Sequence, residues 1–103
     1  MQQQALGLFK QARANYQAAL AIHRERGDKF QQGIVLNNLG TAWVSAGETD
    51  KGLPYLSEAM ALRRSIADHL GVAYTLLAVA NAHTNARMRS SFFTRRSLRQ
   101  MCW

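Results

Sequence analysis

The chain has 103 residues, of which 48% are hydrophobic and 18% charged, with a single Pro and a formal net charge of +7. A chain of this size forms one domain with a modest core, and its composition excludes a disordered chain. It also excludes a membrane-spanning protein, because no run of about 18 apolar residues occurs. Residues 1–86 hold eight Lys/Arg and all six acids, whereas residues 87–103 hold five Arg and no acid. Basicity is therefore a property of the C-terminal segment.

The N-terminal sequence and the cysteine content indicate the compartment. Residues 1–11 lack both the basic n-region and the apolar h-region of a secretory signal. Cys102 is the single cysteine, so an internal disulfide is excluded. We therefore expect a reduced, cytoplasmic protein.

Helical periodicity predicts a first helix over about residues 8–26, where apolar side chains recur at spacings of three and four. Gly7, just before it, is interpreted as a turn. Gly27 suits the left-handed position that follows a helix C-terminus, and Asp28 suits the N-cap of the next helix. The second helix is predicted over about residues 29–46.

Two glycines, Gly33 and Gly40, lie inside the predicted second helix. Each costs on the order of 1 kcal/mol relative to Ala, which indicates that a neighbouring helix approaches closely there. A third helix is predicted over about residues 50–66 and a fourth over about residues 69–86. Ala67 occupies the turn position at which the earlier turns have Gly.

Residues 87–103 show no clean helical or alternating period, so we predict a basic, irregular tail. One hypothesis is that the tail binds an anionic surface, either nucleic acid or membrane lipid. The competing hypothesis is that the tail arises from an altered reading frame or a truncated open reading frame, since it abandons the preceding pattern where a turn is expected. The anion-binding candidates of the first hypothesis are its arginines, Arg87, Arg89, Arg95, Arg96 and Arg99.

Self-similarity distinguishes a repeat array from a simple helical bundle. A shift of 40 residues aligns residues 7–44 with residues 47–84. Because the turns align together with the small residues, we interpret the chain as a repeat array. The identities are Gly7/Gly47, Ala19/Ala59, Ala21/Ala61, Arg24/Arg64, Asp28/Asp68, Leu36/Leu76 and Ala42/Ala82.

The central stretch contains the motif Leu36-x2-Leu39-Gly40-x2-Trp43 followed by Gly52-x3-Leu56-x2-Ala59. This motif resembles one tetratricopeptide repeat (TPR). Residues 12–19 resemble the second half of such a repeat and residues 76–83 the first half of another. The departures are Gly where Ala is usual and Ala where Gly is usual, a His for the aromatic, and no repeat-ending Pro. The spacing is that of a longer subtype, which is similar to kinesin light chains, spindle-orientation scaffolds and the sensor regions of bacterial signal-transducing ATPases.

This resemblance implies an all-α fold over residues 1–86, in which about four helices form antiparallel pairs stacked as a short right-handed solenoid. One repeat and two halves bury little surface, so we expect exposed apolar side chains on the first and fourth helices. Dimerisation, a partner protein or further repeats would cover them. Trp43 is interpreted as a core aromatic at its repeat position, and a binding-site aromatic is the alternative.

The resemblance also implies a function: binding of a peptide or a partner helix in a concave groove formed by the first helix of each repeat. Asn37 and Asn38 are the principal candidates, since Asn is poor in helix interiors and its amide can pair with an extended backbone. The alternative is that one Asn bonds a neighbouring helix and the other is solvated. The groove candidates are Ile34, Asn37, Asn38, Thr41, Val44 and Ser45, followed by Tyr74, Leu77, Asn81, Thr84 and Asn85.

Charge clamps, catalytic motifs and metal motifs are missing from the sequence. Arg63 and Arg64 lie near a helix end and are interpreted as solvated cations. Neither a His-Glu-x-x-His motif nor a Gly-rich phosphate loop occurs, and three dispersed His do not make a metal site. We therefore expect a protein without catalytic residues, metal or cofactor. The alternative function is that of a sensor or regulatory fragment of a larger signalling protein, such as an ATPase-linked transcription regulator.

Overall fold

The computed structural model describes the backbone of residues 2–101 and the side chains of residues 7–88. The described backbone forms four helices and contains no strand, which confirms the predicted all-α fold. The helices are α1 (Gln2–Arg26), α2 (Lys29–Ser45), α3 (Thr49–Ser65) and α4 (His69–Met101).

Each turn between helices contains one residue with a left-handed backbone, namely Gly27 (φ 65°), Gly47 (φ 89°) or Ala67 (φ 55°). The left-handed residue lets the following N–H group bond back to a carbonyl near the helix end, as the N–H of Asp28 does to His23 O at 3.0 Å. Asp28 also caps α2 as predicted, because its Oδ1 accepts a hydrogen bond from the backbone N–H of residue 31 at 3.1 Å.

Replacing Ala67 by Gly is expected to raise the free energy of unfolding by about 1 kcal/mol, because a Cβ is unfavourable in the left-handed conformation. Urea denaturation followed by circular dichroism measures the change. Ala46 provides the matched control, since it follows α2 with a right-handed backbone (φ −78°). The substitution Ala46→Gly should therefore not raise the free energy of unfolding. A similar gain from both variants would contradict the explanation.

Two helix boundaries differ from the prediction. Helix α1 begins at Gln2, so Gly7 lies within the helix and the predicted turn there was wrong. A single glycine costs about 1 kcal/mol and does not by itself end a helix. Helix α4 continues to Met101, so the irregular backbone predicted from residue 87 was also wrong. Residues 87–101 contain no Gly or Pro, and the loss of apolar periodicity changes what the helix can bury without breaking its backbone.

Helix α2 is central to the packing, because it contacts each of the other three helices. Turns of two or three residues bring consecutive helices back alongside each other. Two apolar clusters fill the spaces between them. The first contains Leu20, Val35, Leu36, Leu39 and Ala59, and the second contains Val44, Leu56 and Ala82.

Helices α2 and α3 approach each other most closely where Gly40 faces Gly52. A Cβ atom on Gly40 would lie 2.6 Å from Leu56 Cγ and 2.9 Å from Gly52 O. A Cβ atom on Gly33 would lie 3.0 Å from Arg63 Cγ, which also belongs to α3. The close approach predicted from both glycines of α2 is therefore confirmed.

Alternate helices are joined by long side chains. The Gln17 Nε2 group of α1 donates to Tyr55 Oη of α3 at 3.0 Å, and Arg24 pairs with Glu58 at 2.8 Å. Residue numbers rise together in these two pairs, so α1 and α3 run in the same direction.

Large apolar side chains are exposed on α1 and α4, as expected for the first and fourth helices. The exposed large apolar side chains are Leu8 and Ile22 on α1, Leu70, Tyr74, Leu76, Leu77 and Met88 on α4, and, outside these two helices, Phe30 on α2 and Ile66 after α3.

No helix of the described chain has the length and apolar character needed to cross a membrane.

Candidate functional site

A groove with a volume of about 360 Å³ lies between α2 and α4. It includes nine of the eleven residues predicted to form a groove, and none of its lining residues is charged. The lining residues are Asn37, Asn38, Thr41, Val44 and Ser45 of α2, and Tyr74, Leu77, Ala78, Asn81 and Asn85 of α4.

Two predicted residues lie outside the groove lining and one lining residue was missed. Ile34 is half-buried and does not line the groove. Thr84 is exposed, and its hydroxyl donates to Ala80 O at 2.9 Å. The missed residue is Ala78, which lies four residues after Tyr74 on the same face of α4. Helical spacing alone would have found it.

The groove has an apolar floor and a mixed rim. Val44 is 7% exposed and belongs to the second apolar cluster, against which Ala78 packs. Tyr74 and Leu77 are 63% and 58% exposed, and together with the asparagines they form the rim. The groove therefore combines polar and apolar side chains at its edge with an apolar base.

Asn37 is held in place by a buried polar network. Its Oδ1 accepts a hydrogen bond from Thr75 Oγ1 at 3.0 Å, and Thr75 is fully buried. Arg63 Nη1 in turn donates to Thr75 Oγ1 and to Gly71 O, each at 2.9 Å. Because the carbonyl oxygen of the Asn37 side chain is engaged, its amide N–H groups are the part available to the groove. The prediction that one Asn of the pair bonds a neighbouring helix is confirmed for Asn37.

Asn38 is exposed, and its side chain forms no hydrogen bond with any residue that the structure describes. The same holds for Asn81 and Asn85 across the groove. Thr41 differs, because its hydroxyl donates to the Asn37 backbone carbonyl at 2.8 Å. The three asparagines therefore present both donors and acceptors to an occupant of the groove.

Arg63 was predicted to be a solvated cation, and this was wrong. It is 6% exposed, whereas the neighbouring Arg64 is exposed as predicted. The stem of Arg63 occupies the space beside Gly33, and its guanidinium bonds Gly71 O. The sequence contains Gly33 and Gly71, but it does not show that both lie beside Arg63, because that depends on how α2, α3 and α4 pack together.

Trp43 is half-buried and lies outside the groove lining, between helices as the core interpretation predicted. Its ring meets Phe9 of α1 edge to face, with 5.3 Å between the ring centroids. The Arg13 guanidinium lies 4.6 Å and the Lys51 ammonium 5.0 Å from the Trp43 ring centroid. This aromatic therefore joins α1, α2 and α3.

Arg87, two residues beyond the groove residue Asn85, is exposed. The side chains of the other four predicted anion-binding residues, Arg89, Arg95, Arg96 and Arg99, lie outside the described side chains. Anion binding by the tail stays a prediction.

Metal ligands do not converge in the described part of the chain: no three His, Cys, Asp or Glu residues come close enough there to hold an ion. The described side chains instead form an uncharged groove beside a buried polar network.

No protein-family model, curated protein or solved structure matches this chain.

Proposed function

We propose that the chain is a non-catalytic protein-interaction module, a tetratricopeptide-like helix array that binds a peptide or partner helix between α2 and α4. The observation that carries this proposal is the groove of about 360 Å³, with unengaged amides on its rim and an apolar floor. Uncharged amides together with apolar contacts suit a polypeptide, because a polypeptide combines a hydrogen-bonding backbone with apolar side chains.

An extended peptide brings unpaired backbone N–H and C=O groups, each of which needs a partner when it is buried. Asn38 and Asn81 offer donors and acceptors from the two sides of the groove. Tyr74, Leu77 and Val44 offer apolar contact for the side chains of the peptide. A peptide in this groove therefore satisfies its backbone and buries apolar surface at the same time.

The stacking of the helices supports the repeat-array part of the proposal. The hydrogen-bonded pairs Gln17–Tyr55 and Asn37–Thr75 each join residues 38 positions apart, close to the sequence period of 40. One pair joins α1 to α3 and the other joins α2 to α4. Each helix is thus held beside the helix two places along the chain, which is the arrangement that a stack of helix pairs requires.

Asn38→Ala is expected to weaken peptide binding about fivefold to thirtyfold, the effect of losing one or two hydrogen bonds of about 1 kcal/mol each. The binders are first selected from a random peptide library displayed on phage, with the full chain as bait. Fluorescence anisotropy then measures the affinity of each selected peptide for the wild type and the variant.

Asn15→Ala is the matched control, because Asn15 is exposed on α1 and lies away from the groove. It should leave the affinity unchanged and raise the free energy of unfolding by at most about 0.7 kcal/mol, because Ala is a better helix former than Asn. Failure to select any peptide, or peptides whose affinity is the same for wild type, Asn38→Ala and Leu77→Ala, would overturn the proposed function.

A further inference from the structure

The two helices that bound the groove contain no acidic residue. Helix α2 carries Lys29 as its one charged residue, and α4 carries five arginines. The six Asp and Glu residues of the chain lie on α1, on α3 or in the turns. The formal charge that α2 and α4 carry in the sequence is therefore positive, and most of it belongs to the C-terminal part of α4.

The charges are also arranged along the length of the groove. Asp28 and Asp68 cap the first turns of α2 and α4 through bonds to backbone N–H groups, so the starts of both helices have a carboxylate. Arg87 follows the last groove residue, Asn85, and the arginines of α4 continue from there to residue 99. Among the described side chains, the groove thus has an acidic end, with Asp28 and Asp68, and a basic end, with Arg87.

Exposed apolar side chains follow the same face of α4. Leu70, Tyr74 and Leu77 recur at spacings of four and three, and all are at least 58% exposed. Met88, eleven residues after Leu77, is 65% exposed and adjoins Arg87. Apolar surface and positive charge therefore meet at the basic end of the groove.

We infer that the partner is an acidic polypeptide segment, and this inference rests on the proposed function. Its apolar side chains lie against Tyr74 and Leu77, and its Asp or Glu residues lie beyond Asn85, beside Arg87. Charge complementarity of this kind sets the direction and partner choice of binding and makes its rate depend on salt. A nucleic acid fits less well, because it needs cations along its whole backbone and the groove lining has none.

Three fluorescein-labelled peptides test the inference with the full chain. Each has a half rich in Leu and Ala, joined to a half that carries Glu residues in the first peptide, Gln in the second and Lys in the third. At about 50 mM salt the Glu peptide should bind roughly tenfold more tightly than the Gln peptide, and the Lys peptide least tightly. At about 500 mM salt most of the difference should disappear, because exposed charges are then screened.

Two variants separate the charge from the groove. Arg87→Gln should weaken the Glu peptide severalfold and leave the Gln peptide unchanged, whereas Leu77→Ala should weaken both peptides alike. Arg26→Gln, at an exposed arginine of α1, is the charge-matched control and should change neither affinity.

Equal affinities for the Glu and Gln peptides, both lowered by Leu77→Ala, would overturn the acidic partner and leave the proposed function standing. Binding of neither peptide, together with no binder from the library, would overturn both. A single-stranded oligonucleotide or a vesicle of anionic lipid that binds more tightly than the Glu peptide and ignores Leu77→Ala would also overturn the inference.

Discussion

Replacing Gly52 by Ala is expected to lower the free energy of unfolding by about 2–3 kcal/mol. The new Cβ would lie 2.5 Å from Gly40 O and 2.8 Å from Val44 Cγ2. The first of these is a backbone atom of another helix, so the clash is relieved only if α2 and α3 move apart. Alanine gains about 1 kcal/mol of helix propensity over glycine, which offsets the cost only in part.

Gly7→Ala is the control with the opposite sign. Gly7 lies inside α1, and a Cβ atom there would meet nothing within 4 Å. The variant should gain up to about 1 kcal/mol from helix propensity alone. Urea denaturation of both variants, followed by circular dichroism, measures the difference. If Gly52→Ala proved as stable as the wild type, α2 and α3 would not approach each other as closely as the structure places them.

The number of helices and the three turns between them were predictable because they depend on residues close together in the sequence. Gly27, Gly47 and Asp28 encode turns through their own backbone and capping chemistry, whichever helices are nearby. Apolar periodicity, in contrast, shows which side of a helix can be buried and says little about the residue at which the helix ends. Apolar periodicity therefore did not predict that α4 continues to Met101.

Most of the groove was predictable because the repeat motif assigns one face of α2 and one face of α4 to a common surface. The Asn37 hydrogen bond to Thr75 agrees with the alternative that one Asn of the pair bonds a neighbouring helix, although Thr75 itself was not among the predicted residues. The buried network behind Asn37 was not predictable from the sequence. The network requires the Arg63 side chain to extend from α3 towards α4. Nothing in the sequence distinguishes the buried Arg63 from the adjacent, exposed Arg64.

Arg63→Ala is expected to lower the free energy of unfolding by about 3 kcal/mol, because it leaves a cavity and removes two buried hydrogen bonds. The stem of Arg63 fills the space beside Gly33, and its guanidinium serves Gly71 O and Thr75 Oγ1. Arg64→Ala, at the adjacent exposed arginine, should change stability little.

Arg63→Met separates the two contributions. It keeps most of the stem volume and loses the donors, so its cost should be about 1–2 kcal/mol, between those of wild type and Arg63→Ala. Thermal and urea denaturation of the three variants measure this order. Equal stabilities of Arg63→Ala and Arg64→Ala would contradict the buried network. Loss of Arg63 leaves Gly71 O without its donor, and the Thr75 hydroxyl, four residues later on the same helix, can then donate to Gly71 O instead of to Asn37 Oδ1. Weaker peptide binding by Arg63→Met, at a temperature where the variant is fully folded, would then connect the buried arginine to the groove.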